Sequence, residues 1–253
     1  MAGDPTDLTA KAVRLRELHG GQTLVLPNAW DAASAKIVVE SGFPVVATAS
    51  NAIAAMLGHP DGEGAPWEEM FAAAGRVARA VSVPVTVDAE AGYRMRPREL
   101  VDRFLDIGAV GCNLEDTDHR AGGLTDPDVH AQWLADVRSA ADAAGVPIVV
   151  NARVDVFLPA SAVPEGDRIA EAVRRGKLYR AAGADCIYPI GVRSRSDLTT
   201  LLAELPGPVN ANVGPELDLP ALRELGVARV SFGPTFYHAG MANLRNAIQD
   251  LLP

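Results

Sequence analysis

PVTVDAEAGY, residues Pro84–Tyr93, decides how the rest of the chain is read. Pro-Val-Thr-Val has the β-branched composition of a buried parallel strand, and it runs directly into Asp88 and Glu90 before a glycine lets the backbone turn. Acids at i and i+2 of a strand point to the same side. VGCNLED, Val110–Asp116, repeats the design and delivers Glu115 and Asp116 at the end of a second apolar run. Carboxylates gathered at strand ends repel one another unless a cation neutralises them. All-oxygen ligands suit hard Mg²⁺, with Mn²⁺ as a substitute. The expectation is a metal site.

Outward from these two strands the same unit recurs. TLVLPNAWD, FPVVATASN, VPVTVDAEAGY, AVGCNLED, VPIVVNARVD, ADCIYPIG, GPVNANVG and ARVSFGPTF are eight short apolar runs, each followed by a helical pattern. Most are entered through a glycine or proline turn such as SGFP, AGVP or LPGP, as short helix-to-strand loops are. Polar residues collect at the opposite ends of the runs. Eight βα units with that asymmetry predict an α/β, single-domain (β/α)8 TIM barrel over residues 1–253, with its site at the C-terminal ends of the strands. A doubly wound open sheet is the alternative, but no GxGxxG follows the first run. Residues 1–20 are expected to form an N-terminal helical segment capped by Thr6 or Asp7.

Composition narrows the function classes. A net charge of −9, without a Lys/Arg cluster, excludes a nucleic-acid footprint. Hydrophobic residues make up 48 % but aromatics only 5 %, so the core rests on Ala, Val, Leu and Ile. Cys112 and Cys186 each sit inside an apolar run, where they read as inert core thiols. With no 18-residue apolar run and no signal-peptide pattern, neither a membrane span nor export is expected, and the cytoplasm is the default location. The expected partner is a small anionic substrate.

Other polar clusters have both a functional and a plain reading. Asp31, closing NAWD, is suited to cap the helix that follows. The small residues Ala49, Ser50 and Asn51 would let backbone amides approach an anionic oxygen, or would form a solvated turn. Asp61 either binds metal through water or shapes its loop. In Asn151-Ala-Arg-Val-Asp155, Arg153 offers a planar fork for a carboxylate or phosphate, with a salt bridge to Asp155 or Glu115 as the other possibility. Asn210 adds a neutral donor. TDHRAGGLTDP, residues 117–127, fits either a lid or a long surface loop. Among the histidines, His119 and His238 lie in or near predicted strand-to-helix loops.

NAWD, the small-residue loop followed by Gly58-x-x-Asp61, VDAEAGY, GAVGCNLED and VNARVD together resemble the isocitrate lyase and phosphoenolpyruvate mutase superfamily, over about Leu24 to Phe236. The resemblance implies that Asp88, Glu90 and Glu115 hold Mg²⁺ directly or through water, with Asp61 assisting. It also implies that Arg153 grips the substrate and that amides near Ala49 and Ser50 hold its carboxylate. The Lys-Lys/Arg-Cys-Gly-His motif of the lyases is absent; Asp118-His-Arg-Ala-Gly stands in its place, and Ile190 replaces their glutamate after the strand-six proline. The lysine and asparagine of the mutase loop are absent too. The implied activity is a Mg²⁺-dependent carbon–carbon lyase acting on a small 2-oxo or 2-hydroxy dicarboxylate through a metal-bound enolate. A phosphonopyruvate-type phosphonomutase or hydrolase and an inactive 2-oxo-acid-binding barrel are the alternatives. Substrate binding is assigned to Ala49, Ser50, Asn51, Asn151, Arg153 and Asn210. The catalytic acid or base is sought among Arg153, Tyr93, His119 and Arg120. A homo-oligomer, dimer or tetramer, is also implied. The last helix, expected over Met241–Pro253 with an apolar stripe from Ala242 to Leu252, is short enough to pack on its own barrel rather than swap.

Overall fold

The computed structural model describes residues 5–251. Helix α1 (Pro5–Leu18) precedes the barrel. Thr6 and Asp7 lie within its first turn, so neither caps it; Asp7 instead pairs with Lys11 at 2.8 Å. The first barrel strand comes in two halves, β1 (Leu24–Leu26) and β2 (Asn28–Ala29), separated by Pro27, which has no N–H to give to a ladder. Then follow α2 (Ala32–Glu40), β3 (Val46–Thr48), α3 (Ser50–Leu57), α4 (Trp67–Ala80), β4 (Val85–Asp88), α5 (Pro97–Ile107), β5 (Gly111–Glu115), α6 (Pro127–Ala143) and β6 (Val149–Val154). The chain ends with α7 (Arg168–Ala181), β7 (Cys186–Pro189), α8 (Arg195–Glu204), β8 (Asn210–Asn212), α9 (Leu219–Glu224), β9 (Arg229–Ser231) and α10 (Thr235–Gln249).

Every strand pairing is parallel. β2 through β7 form one run, β1–β9–β8 another, and the bridge Ile187 to Val209 joins β7 to β8. Because β1 and β2 belong to one strand, the two runs close into a barrel, and the open-sheet alternative falls. The apolar core lies mainly between strands and helices, where Leu15, Val77, Leu100, Phe104, Leu134, Val137, Tyr179 and Leu198 are buried. Cys112 and Cys186 are free and fully buried, and burial pushes both thiols up to about 12, as inert core thiols require. No helix among the described residues is long and apolar enough to cross a membrane.

The N-terminal face of the barrel is tied by charge. Asp185 accepts from Arg16 Nε (2.9 Å) and Arg138 Nη2 (2.5 Å), which fastens α1 beneath the strands. On α6, His130 is buried with its ring 4.9 Å from that of Tyr179, and its Nε2 meets no hydrogen-bond partner among the described residues. Burial lowers its pKa from 6.5 to about 4. The folded ring therefore stays neutral where the unfolded ring takes a proton, so this contribution is complete above about pH 6.5 and is lost as pH falls toward 4. His130→Phe keeps the ring and removes the titration. Denaturation curves should show the variant gaining about 3 kcal/mol on the wild type between pH 7 and pH 4; parallel pH profiles would refute the neutral buried ring.

Helix α10 departs from expectation. It begins at Thr235, six residues earlier than the sequence suggested, and none of its residues is buried. Tyr237 meets Trp30 edge-on at 5.4 Å, but beyond that first turn the helix stands off the barrel, with Leu244 53 %, Ile248 55 % and Leu251 81 % exposed. Packing on its own barrel is thus overturned. Leu252 and Pro253, part of the expected helix, lie outside the described residues. His238 sits exposed on this helix rather than in a strand-to-helix loop.

Candidate active site

A cavity of about 580 Å³ opens at the C-terminal ends of the strands. Its polar side is made by Asn28, Ser50, Asn51, Asp61, Asp88, Asn113, Arg153, Tyr188 and Asn212; Leu158, Ile190, Val192, Val213 and Phe232 supply an apolar side. Asp88 ends β4, fixed by Ser50 N–H to its Oδ2 (3.1 Å) and Asn113 Nδ2 to its Oδ1 (3.4 Å), while its own N–H donates to Thr48 Oγ1 (2.9 Å). Asp61 reaches the cavity from the loop after α3, near Asn51 Nδ2 (3.4 Å). Neither acid takes part in an ion pair among the described residues. Helix α3 starts at this cavity with Ala49 as an N-cap that provides no side-chain acceptor; its first amide, of Ser50, is taken by Asp88, and the Asn51 amide after it meets no acceptor among the described residues.

The remaining predicted acids are held more tightly. Glu90 Oε1 accepts from the N–H groups of Gly62 (2.9 Å) and Glu63 (3.0 Å), and its Oε2 accepts from the Tyr93 hydroxyl. In return Glu63 Oε1 accepts from Tyr93 N–H at 2.7 Å. Glu63, Glu90 and Tyr93 of this reciprocal latch, and the adjoining Arg94, sit at positive φ, between 50° and 57°, an uncommon conformation for residues with side chains. Burial raises the Glu90 pKa against the pull of these hydrogen bonds, and the charge of Asp88 and the nearby Asp61 carboxyl push it further up. Glu115 bridges Arg153 Nη1 (2.5 Å) and His119 Nε2 (2.5 Å); burial again dominates and raises its pKa, opposed chiefly by Arg153. Among the described residues no three acidic, histidine or cysteine side chains converge as a ready metal cluster.

Arg153 lines the cavity but makes both of its possible salt bridges. Its Nε and Nη2 each donate to Asp155 at 2.7 Å, and its Nη1 donates to Glu115 at 2.5 Å. Asp116, next to Glu115, points the opposite way. It is fully buried outside the barrel wall, accepting from Arg175 Nη1 (2.9 Å), Tyr179 O–H (2.7 Å) and Asp155 N–H (2.9 Å). The 117–127 loop is an arch pinned by the Thr117–Leu124 bridge and by Thr117 Oγ1 on Asp155 (2.6 Å). Asp31 caps α2 in a capping box with Ser34, as its plain reading held.

Family membership follows from comparison with known proteins. A family model for phosphoenolpyruvate phosphomutase matches residues 15–252. The chain belongs to this family. A proposed phosphonomutase of Burkholderia cenocepacia has a solved structure that superposes with a TM-score of 0.87 at 39 % identity, covering 94 % of this chain and 99 % of that one. An uncharacterized protein of Mycobacterium tuberculosis is 34 % identical over 92 % of this chain and 87 % of its own length. Oxaloacetate decarboxylase of Rhodopseudomonas palustris is 31 % identical over 77 % of this chain and 68 % of its own. The family thus contains both bond-cleaving and phosphonomutase members, within the isocitrate lyase and phosphoenolpyruvate mutase superfamily read from the motifs.

Within this family frame, the structure brings together Ala49, Ser50, Asn51, Asp61, Asp88 and Arg153. It does not bring Asn151 or Asn210 to the cavity. Both are fully buried, donating to Asn113 Oδ1 (2.8 Å) and Ser231 Oγ (3.1 Å). Tyr93, His119 and Arg120 also lie off the cavity: Tyr93 is taken by Glu90, and His119 and Arg120 line a shallower hollow with Glu63 and Arg94. Missed by sequence reasoning were Asn113, Tyr188, Arg193 and Asn212, all of which line the cavity. Asn212 and Asn113 stand two residues from residues that were singled out, on the same strand face, and that alternation was the available signal.

Proposed function

We propose that the protein is a Mg²⁺-dependent lyase that cleaves a carbon–carbon bond of a small 2-oxo or 2-hydroxy dicarboxylate through an enolate. One observation carries this reading: the cavity is lined both by carboxylates that form no ion pair among the described residues, Asp88 and Asp61, and by the first turn of α3, where the Ser50 amide already holds Asp88 and the Asn51 amide meets no acceptor among the described residues. Such a cavity suits a cation and an anion bound side by side. The residues fit the metal. Their donors are all oxygens, and one or two carboxylates with water is the usual holding of Mg²⁺. Asp88 and Asp61 would hold it, with Glu90 and Glu115 acting through water, and Mn²⁺ would substitute. When bound, the cation supplies Lewis-acid stabilisation of negative charge developing on the substrate.

The chain's own groups do the rest. The Asn51 amide binds the substrate carboxylate while that of Ser50 holds Asp88, and the Nδ2 of Asn113 offers a donor beside Asp88. Arg153, whose fork is held by Asp155 and Glu115, adds positive charge at the cavity wall. Tyr188, whose hydroxyl donates to Asn212 Oδ1 at 2.5 Å, replaces Tyr93, His119 and Arg120 as the proton donor, being the cavity-lining phenol. The oxaloacetate decarboxylase relative supports carbon–carbon cleavage. The likeness to the Burkholderia protein favours a phosphonomutase or hydrolase as the second reading. Incubation with oxaloacetate, 2-alkylmalates and phosphonopyruvate, with and without Mg²⁺, followed by product analysis, separates them. Mg²⁺-dependent C–C products are expected, phosphorus-containing products would favour the second reading, and no turnover of any substrate would defeat both.

The exposed apolar stripe of α10 supports a homo-oligomer, dimer or tetramer, in which a second copy covers Leu244 and Ile248. Light scattering of the wild type should give a multiple of 26.5 kDa, and the double variant Leu244→Asp/Ile248→Asp should give the monomer mass. A wild-type monomer at micromolar concentration would refute the assembly.

A further inference from the structure

Arg229 opens β9 inside the barrel and is 1 % exposed, yet no carboxylate pairs with it among the described residues. Arg175, the other buried arginine among the described residues, has such a partner in Asp116, and the partly buried Arg153 has two, Asp155 and Glu115. Arg229 Nη2 donates to Asn113 Oδ1 at 3.1 Å, while its Nε and Nη1 find no partner among the described residues. A guanidinium removed from water without an anion is costly to the fold. Such an expense points to a task at the neighbouring site.

Asn113 carries the effect upward. Its Oδ1 accepts from two donors, Arg229 Nη2 and Asn151 Nδ2 (2.8 Å), so turning its carboxamide over would set an NH₂ group against both. Its Nδ2 is therefore directed at Asp88 Oδ1 (3.4 Å) and the cavity that Asn113 lines. We infer that Arg229 is a positioning residue that fixes the Asn113 carboxamide so that the site presents a donor, not an acceptor, beside Asp88. The inference deepens the reading of this cavity as a 2-oxo-acid site and rests on it. A fixed donor there adds to the binding of an anionic oxygen without a rotamer having to be selected on binding.

A double-mutant cycle tests it, with oxalate in the presence of Mg²⁺ as the probe and calorimetric affinity as the readout. Arg229→Met and Asn113→Ala should each weaken oxalate binding about tenfold, and the double variant also by only about tenfold, because both act through one amide. A loss near a hundredfold, the product of the two, would mean separate roles and overturn the inference, as would Arg229→Met binding as tightly as the wild type. If Arg229→Met does not melt cooperatively, Arg229→Lys takes its place. Lysine keeps the buried charge but lacks the fork that meets Asn113, and the same non-additivity is expected. Wild-type protein that does not bind oxalate would overturn the reading of the cavity and this inference with it. Wild-type binding with additive losses would overturn this inference alone.

Discussion

Asp88→Asn should abolish the response to Mg²⁺ and reduce any turnover on the order of a thousandfold, the several kcal/mol that a correctly held cation supplies to a developing oxyanion. The substitution is nearly isosteric, and Asn Oδ1 can still accept from the Ser50 amide that now meets Asp88 at 3.1 Å, at the loss of the longer 3.4 Å contact from Asn113 Nδ2. Folding should not suffer. Asp88 adds to the repulsion that raises Glu90 and Glu115, so removing its charge should leave the metal-free protein as stable as the wild type or more so. Loss of activity with an unchanged or higher melting temperature therefore separates a site effect from a folding effect. A Mg²⁺ titration indistinguishable from that of the wild type would remove Asp88 from the metal assignment.

Asp116→Ala should do the reverse, with its main effect on stability. The carboxylate is wholly buried and serves three donors, from α7 and from the end of β6. Its removal leaves the Arg175 guanidinium, 7 % exposed, without its close carboxylate on that side, and breaking a buried pair in this way costs about 3–5 kcal/mol. For a chain of this length that corresponds to a fall in melting temperature of roughly 10 °C. Asp155 would also lose the partner of its N–H, and with Asp155 go the braces on Arg153 and Thr117. Weaker anion binding should accompany the lower stability. A melting temperature within 2 °C of the wild type, on the scale set for small surface changes, would show that the network does not anchor the barrel top.

Much of this was legible in the chain itself. The alternation of β-branched runs with helical patterns determined a barrel, because eight parallel strands buried on both faces need that composition and those short turns. Asp88, Arg153 and the small residues Ala49–Asn51 could be placed on the cavity side from their positions at the C-terminal ends of apolar runs, which face one side of a (β/α)8 barrel, and Asp61 from the long loop after the second run. Adjacent Glu115 and Asp116 were grouped as acids, yet strand alternation sends one inward to Arg153 and the other outward to Arg175. Which rung of an inward-facing row reaches the cavity was not readable. Asn210 and Asn212 share a face, as do Asn151 and Arg153, but their heights depend on the stagger of neighbouring strands, a property of the closed barrel as a whole. Likewise the sequence showed that α10 has an apolar stripe, whereas only the tertiary structure decided that the stripe misses its own barrel, since the direction of a helix is set by contacts at its base, here Trp30 against Tyr237.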